Sequence, residues 1–139
     1  MNVSGARALR GYDSPSMDEE KTSAFRPLHD SEKRLLETLL EHRFDGQDQL
    51  REQLKSTTAR LILEYHDNYG SIELSVSNGP PASCRKRVPV EGQFLDDDGI
   101  PVWLILHVNR EGFMCEFEVV RADGKPLIST PTPERLEVY

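Results

Sequence analysis

Two segments of the chain carry leucines at helical spacing. The first is DSEKRLLETLLEHRF, residues 30–44, and its leucines recur every three or four positions: Leu35, Leu36, Leu39 and Leu40. Apolar residues at this spacing form one stripe along an α-helix. Asp30 or Ser31 is a suitable N-cap, and Asp45-Gly46 is a typical helix end. The pattern therefore predicts a long first helix.

A second, shorter helix is predicted over residues 46–57, GQDQLREQLKST. Leu50 and Leu54 lie four residues apart and share one helical face. Because only two leucines form this face, we expect the helix to rest on the first helix or on the edge of a sheet.

After the second helix the apolar period changes from helical to two, which is typical of half-buried antiparallel strands. The predicted strands are residues 58–66, 71–77, 87–95, 100–108 and 113–121, with a further apolar segment, PLIS, at 126–129. Turn residues separate them, including Asn-Gly, Pro-Pro and Asp-Gly. The order of elements predicts an α+β fold in which two N-terminal helices precede an antiparallel meander sheet of about five or six strands.

The segment IPVWLILHV, residues 100–108, is apolar on both faces. This pattern predicts a central strand that is covered on both sides, with Trp103 as a core anchor. His107 shares the face of Trp103 by the period of two. We therefore interpret His107 as a core or rim histidine rather than a catalytic one.

The N-terminal residues 1–24 are rich in Ser, Gly, Asp and Glu and contain few large apolar residues. Such a segment cannot bury enough surface to offset its ordering entropy, so a disordered tail is expected there, followed by one domain over residues 25–139. No stretch has the apolar core of a secretory signal or the ~20 apolar residues of a membrane span. A cytoplasmic protein without membrane attachment is the resulting expectation.

The net charge of −7 comes from 17 basic and 24 acidic residues. Nonspecific nucleic-acid binding depends on Lys and Arg, so nucleic acid is an unfavourable partner. The basic stretch Arg85, Lys86 and Arg87 has no interleaved aromatic residues and is typical of a solvated loop. The acidic balance suits a basic protein partner instead. The oligomeric state stays open.

The stretch ILEYHDNYGSIELSV, residues 62–76, is the densest group of chemically versatile side chains. Its candidate binding residues are Tyr65, His66, Asp67, Asn68 and Tyr69. His66 could act as a base or ligand that Asp67 orients. Adjacent strand residues point to opposite faces, so the two can cooperate only if the chain turns between them. The favoured interpretation is a hairpin connection.

The acidic turn DDDG, residues 96–99, lacks the spaced ligands of a calcium-binding EF-hand loop. A hairpin turn is therefore favoured, and a weakly bound surface cation is the alternative. Cys84 and Cys115 are too few and too far apart for a zinc site. The chain contains no G-x-S-x-G, Gly-rich phosphate loop, H-E-x-x-H or C-x-x-C. We therefore expect no catalytic residues, no metal and no cofactor.

A series of short motifs runs from Arg26 to Leu136. They are RPL-x-x-x-E-x-x-LL-x-x-LL at 26–40, Gly-Ser-Ile at 70–72, D-x-DG-x-PV at 96–102, an acidic-aromatic strand ending in R-x-DGKP-x at 117–127, and P-x-P-x-x-L at 131–136. With these motifs the chain resembles a family of small uncharacterised bacterial α+β domains that are often encoded near toxin systems. The resemblance implies immunity or antitoxin work and carries over no site residues.

Two functions remain in competition. The favoured one is a non-catalytic protein-binding module, such as a cytoplasmic immunity-type inhibitor whose acidic surface steers it onto a basic toxin. The alternative is a small-ligand-binding or hydrolytic domain with a pocket near His66 and Asp67.

Overall fold

The structure is a computed structural model, and it describes residues 24–62, 70–84 and 86–139, without the side chains of Lys86 and Arg87. The elements in these ranges are β1 (Arg26–Pro27), α1 (Asp30–Leu39), α2 (Gln47–Leu54), β2 (Thr57–Leu61), β3 (Ile72–Val76), β4 (Lys86–Leu95), β5 (Pro101–Val108), β6 (Met114–Arg121), a 3-10 turn (Pro133–Arg135) and β7 (Glu137–Val138). The predicted disordered tail, residues 1–24, lies outside the described residues except for its last position.

The seven strands form one antiparallel sheet in the order β1-β2-β3-β6-β5-β4-β7. The α+β class is confirmed, but the predicted number of five or six strands is too low. The additional strands, β1 and β7, are two residues long, so they are too short to show a period of two. Because β1 precedes the helices, the predicted order of helices first and sheet second is also wrong.

The connection between β3 and β4 makes the sheet more than a simple meander. The strands β4, β5 and β6 follow one another as hairpins, and β6 then pairs with β3 rather than with a strand beside it in sequence. The β3–β6 pairing joins Ile72 to Phe117 and Glu73 to Glu116. Ser71, which is buried just before β3, stabilises the β3–β6 pairing, because its hydroxyl accepts a hydrogen bond of 2.9 Å from the Val119 amide on β6.

The two helices and one face of the sheet share a single hydrophobic core. The predicted leucines of both helices are buried in it, together with the inward side chains of the strands: Ala59, Ile72, Leu74, Val88, Val90, Phe94, Val102, Leu104, Leu106, Phe117 and Val119. We call the sheet side that carries these residues the inner face. Burying them supplies the main driving force for folding, since the hydrophobic effect scales with the apolar area removed from water.

The first helix begins slightly earlier than predicted and ends sooner. Its N-cap is His29 rather than Asp30 or Ser31, and its last residue is Leu39, with Leu40 as the C-cap. Glu32 stabilises the start, because its carboxylate accepts the His29 amide at 2.8 Å and binds the Arg26 guanidinium at 2.9 Å through both oxygens. These contacts tie the helix to β1.

The opposite side of the sheet, which we call the outer face, contradicts the predicted burial of β5 on both sides. Val102, Leu104 and Leu106 are buried on the inner face, whereas Trp103 and Ile105 are only half-buried on the outer face. The core-anchor prediction for Trp103 was wrong. Its indole nitrogen donates a hydrogen bond to the side-chain oxygen of Gln93 at 3.3 Å.

The C-terminal segment closes the edge of the sheet beside β4. Glu91 exchanges two backbone hydrogen bonds with Tyr139, of 2.8 and 3.0 Å, and Leu136 and Val138 pack against the core. None of the helices in the described ranges is long and apolar enough to cross a membrane.

Candidate functional site

The predicted binding loop lies outside the described residues. This applies to Tyr65, His66, Asp67, Asn68 and Tyr69, so their role stays a prediction. The strands on either side, β2 and β3, pair antiparallel, with Leu61 opposite Ile72.

The acidic turn between β4 and β5 is a hairpin turn, as predicted, and its carboxylates bind an arginine. The Arg121 guanidinium lies 2.8 Å from Asp96, 2.6 Å from Asp98 and 2.8 Å from Asp123. We call these four residues the Arg121 cluster. The cation that the turn binds is therefore the guanidinium of Arg121, which lies at the end of β6.

Asp96 is the buried centre of the Arg121 cluster. Its side chain also accepts hydrogen bonds from the Ile128 amide at 2.8 Å and from the Ser129 amide and hydroxyl at 3.0 and 2.8 Å. Burial acts to raise the pKa of Asp96, but these hydrogen bonds and that from Arg121 outweigh it and hold the pKa well below its usual range. The apolar segment PLIS, residues 126–129, thus forms no strand. Its last two residues instead donate hydrogen bonds to Asp96.

The other members of the Arg121 cluster share the same electrostatics. The hydrogen bond from Arg121 lowers the pKa of Asp123 to about 2 and also lowers that of Asp98, while the carboxylates raise the pKa of Arg121. All these shifts favour the charged forms of groups that already bind one another. Such an arrangement holds the β4–β5 turn, the turn after β6 and the segment around Ser129 together, so we interpret the cluster as structural.

The outer face carries a row of charged residues that cross-strand pairing brings side by side. Arg60 on β2 lies opposite Glu73 on β3, Glu73 opposite Glu116 on β6, and Glu116 opposite His107 on β5. Arg60 binds Glu73 at 2.9 Å. The adjacent carboxylates of Glu73 and Glu116 give the row a local excess of negative charge. Like charges directly opposite each other are unfavourable in a sheet.

His107 and two glutamates form the tightest group on this face. His107 Nε2 lies 2.7 Å from Glu118 Oε1, and both side chains are 29% exposed. Glu116 brings a third ligand-type atom, and the three atoms lie within 4.8 Å of one another. The sequence predicted a core or rim histidine at position 107, and the structure places it half-buried on the outer face of the interior strand β5. We call His107, Glu116 and Glu118 the outer-face triad.

Apolar side chains lie next to the outer-face triad along the same two strands. Ile105 lies between Glu91 and Glu118 in the cross-strand register, and Trp103 lies between Gln93 and Val120. These apolar residues are half-buried rather than covered. The outer face thus combines an apolar centre on β5 and β6 with flanking carboxylates.

Cys115 lies beside the outer-face triad at an irregularity in the β5–β6 pairing, where Val108 is opposite Met114 and His107 is opposite Glu116. Burial raises the pKa of its thiol, and the charges of Glu116 and Glu73 add to the shift. A raised pKa leaves little thiolate at neutral pH, so this cysteine is a poor nucleophile.

Gln53 is a buried polar residue that the sequence did not indicate. Its side-chain nitrogen donates to the carbonyls of Pro80 and Gly112 at 2.8 and 2.9 Å, and its oxygen accepts from the Met114 amide at 3.0 Å. One helical side chain thereby joins two loops to the start of β6. The role of Gln53 depends on contacts 27 to 61 residues away, so no local motif could identify it.

Two concave surfaces lie in the described part of the chain beside the elements discussed above. A groove of about 680 Å³ runs between α1 and α2 and is lined mostly by exposed charged residues, among them Lys33, Glu37 and Arg51. A smaller hollow of about 180 Å³ lies beside Ser71 and Lys125, next to the Arg121 cluster. In the smaller hollow the Ser71 hydroxyl is hydrogen-bonded to the Val119 backbone, donating to its carbonyl at 3.4 Å and accepting from its amide at 2.9 Å.

The comparisons with known proteins give one family. Residues 25–131 match the family described as a domain of unknown function, DUF6984. No curated protein and no solved structure matched the chain. Because the family match spans most of the sequence, the chain belongs to the DUF6984 family.

Proposed function

We propose that the protein is a non-catalytic binding module that recognises a basic protein through the outer face of its sheet. The observation that carries this proposal is the one-sided burial of the sheet. The helices cover the inner face, while Trp103, Ile105 and Val120 stay half-exposed on the outer face among acidic side chains.

The composition of this face resembles that of a protein-binding surface more than that of an ordinary solvated sheet. A partner would bury the apolar residues of β5 and β6, which would supply affinity through the hydrophobic effect. Aromatic residues such as Trp103 are enriched at the centres of such interfaces, and polar residues form their rims. Half-buried side chains on a rigid sheet also lose little conformational entropy when a partner covers them.

Charge indicates the kind of partner. Glu73, Glu91, Glu116 and Glu118 lie around the apolar centre, and the whole chain has a net charge of −7. Opposite charge on a partner would speed association and select against acidic proteins. A basic toxin held by an immunity-type inhibitor is the concrete form of this proposal. A ligand-binding or hydrolytic site at His66 and Asp67 is the second candidate, and it rests on the sequence of that loop.

Site-specific photocrosslinking tests the proposal. A photoreactive amino acid replaces Ile105 at the centre of the outer face, and irradiation is carried out in extract of the organism that encodes the chain. We expect a discrete crosslinked protein of net positive charge, and its yield should fall as salt is raised. The matched control places the same amino acid at Glu41, which is exposed beside the helices.

A second comparison keeps the change in net charge constant. Ile105→Lys and Glu41→Gln each make the chain one unit more positive, but only the first alters the outer face. We expect Ile105→Lys to weaken capture of the crosslinked protein at least about tenfold, equivalent to ~1.4 kcal/mol, and Glu41→Gln to leave it unchanged. Equal crosslinking at positions 105 and 41, or none at 105, would refute the proposal.

A further inference from the structure

We infer that the outer-face triad, His107, Glu116 and Glu118, is a binding site for a divalent transition-metal ion of the zinc type. This inference does not depend on a protein partner. It rests on the kinds of ligand atoms present, on their separation, and on the rigidity of the two strands that present them.

The ligand types favour zinc over calcium or magnesium. Zn²⁺ binds imidazole nitrogen and carboxylate oxygen, whereas Ca²⁺ and Mg²⁺ bind through oxygen alone. One histidine with two carboxylates is a ligand set that Zn²⁺ and its first-row neighbours accept. The imidazole is a neutral donor and the two carboxylates are negatively charged donors. A bound divalent cation would therefore neutralise the charge of the two carboxylates.

The separations require only small side-chain movements. The three candidate ligand atoms lie within 4.8 Å of one another, and His107 Nε2 lies 2.7 Å from Glu118 Oε1. Zinc bonds of ~2.0–2.2 Å place tetrahedral ligands about 3.4 Å apart. An ion would therefore take the place of the proton between His107 and Glu118, while the Glu116 side chain rotates toward it. That proton would leave Nε2 for Nδ1 or solvent.

The scaffold fixes the triad without a loop. His107 and Glu116 are directly opposite each other in the β5–β6 pairing, and Glu118 lies two residues along β6 on the same face. The inner-face neighbours Leu106, Val108 and Phe117 are buried in the core, which holds both strands in place. Glu73, which is opposite Glu116, is itself paired with Arg60 at 2.9 Å.

The coordination would be incomplete with these three ligands alone. Structural zinc sites use four protein ligands, and sites with three leave a position for water or another group. The triad is 29% exposed at His107 and Glu118, so that position would open to the outer face. A fourth ligand could therefore come from solvent or from a bound protein.

The test is metal titration of the full chain alone, after treatment with a chelator. We expect isothermal titration with ZnCl₂ to show one saturable site, and CoCl₂ to give the visible absorption of a tetrahedral or five-coordinate ion. His107→Ala should weaken both at least about tenfold, as losing even a supporting residue of a metal site does. Glu118→Gln should also weaken them, since its amide is a poorer ligand.

The control is His42→Ala, which removes an exposed histidine beyond the end of α1. It should leave the affinity and the cobalt spectrum unchanged, and circular dichroism checks that each variant is folded. Binding weaker than ~100 µM (~5.5 kcal/mol), or binding that folded His107→Ala and Glu118→Gln retain, would overturn the inference. Because no partner is present, failure here leaves the proposed protein binding untouched, and failure of the crosslinking leaves the metal site untouched.

Discussion

Arg121 and Asp96 form an ion pair of 2.8 Å in which the two side chains are only 5% and 0% exposed. The residues lie 25 positions apart, on β6 and at the start of the β4–β5 turn. Charges buried to this extent are tolerated only when they are paired and hydrogen-bonded. The hydrogen-bond donors around Asp96 therefore stabilise the buried pair. The pair in turn holds the loops that supply those donors in place.

Acid should unfold the protein through the Arg121 cluster. The pKa values of Asp96 and Asp98 are lowered in the folded state and that of Asp123 is lowered to about 2, against an unfolded value of ~3.9. The stability from these carboxylates is therefore fully present above about pH 5 and is lost as the pH falls through the folded pKa values. Urea unfolding from pH 7 to pH 2 should show a free energy of unfolding that is nearly flat above pH 5 and falls steeply below pH 4.

Asp96→Asn isolates the contribution of the central carboxylate. We expect a Tm at least about 5 °C lower than that of the wild type at pH 7, and a difference that shrinks toward pH 2 because the carboxyl group becomes protonated in the unfolded wild-type chain. Asp48→Asn makes the same change of charge on the exposed surface of α2 and should alter the free energy of unfolding by less than ~0.5 kcal/mol. A difference between Asp96→Asn and wild type that is independent of pH would contradict the linkage.

Gln53→Leu should destabilise the protein although it replaces a polar residue in the core with an apolar one. The change strips hydrogen bonds from the carbonyls of Pro80 and Gly112 and from the Met114 amide. The Gly112 carbonyl keeps the Ala82 amide as a donor at 2.9 Å, so the Pro80 carbonyl and the Met114 amide are the groups left without this partner. Each such group costs ~1–3 kcal/mol, so we expect a loss of about 2 kcal/mol or more in urea unfolding. Gln49→Leu on the same helix is the control, and an equal effect there would show that Gln53 has no special role.

Gly112→Ala should be much more harmful than Gly99→Ala. Both glycines have positive φ, of 93° and 87°, so alanine is strained at each by ~1–2 kcal/mol. At Gly112 a Cβ would also lie 2.3 Å from the carbonyl oxygen of Ala82, whereas at Gly99 it would meet nothing within 4 Å. We expect a further ~1–3 kcal/mol at Gly112 from overpacking. Equal losses in thermal unfolding of the two variants would show that the backbone moves away freely.

Deleting residues 132–139 should make the chain associate more strongly. The deletion removes β7 and exposes backbone groups of β4, including those of Glu91 that pair with Tyr139. An uncovered strand edge is a template for pairing with another chain. Light scattering after size exclusion should show a larger mass at high concentration than for the full chain. Arg135→Ala, which keeps β7, is the control, and an unchanged mass for the deletion would contradict the prediction.

The residue pattern was sufficient where one face of an element is buried continuously. The leucines at 35, 36, 39, 40, 50 and 54 predicted two helices, and all six are in the core. Alternation likewise located β3, because a strand with one buried face must alternate. The same pattern could not reveal β1 and β7, where two residues form a strand only because a neighbouring strand offers its edge.

Burial of outer-face residues could not be predicted from β5 alone. IPVWLILHV is apolar on both sides, and whether a second layer covers Trp103 depends on where the helices pack. Both helices lie on the inner face with Leu104 and Leu106, so Trp103 is left half-exposed. The candidate loop at residues 65–69 could be identified from its local composition. The outer-face triad could not, because its residues come together through pairing between strands.

The sequence by itself determined the α+β class, the two helices and the positions of the longer strands, because these follow from the spacing of apolar residues along a few turns of chain. Only the tertiary structure decided the strand order, the sheet face left open, and the partners of Arg121, Gln53 and His107. Each of those depends on pairing between distant segments. Such pairing is set by the packing of the whole core, and no local pattern encodes it.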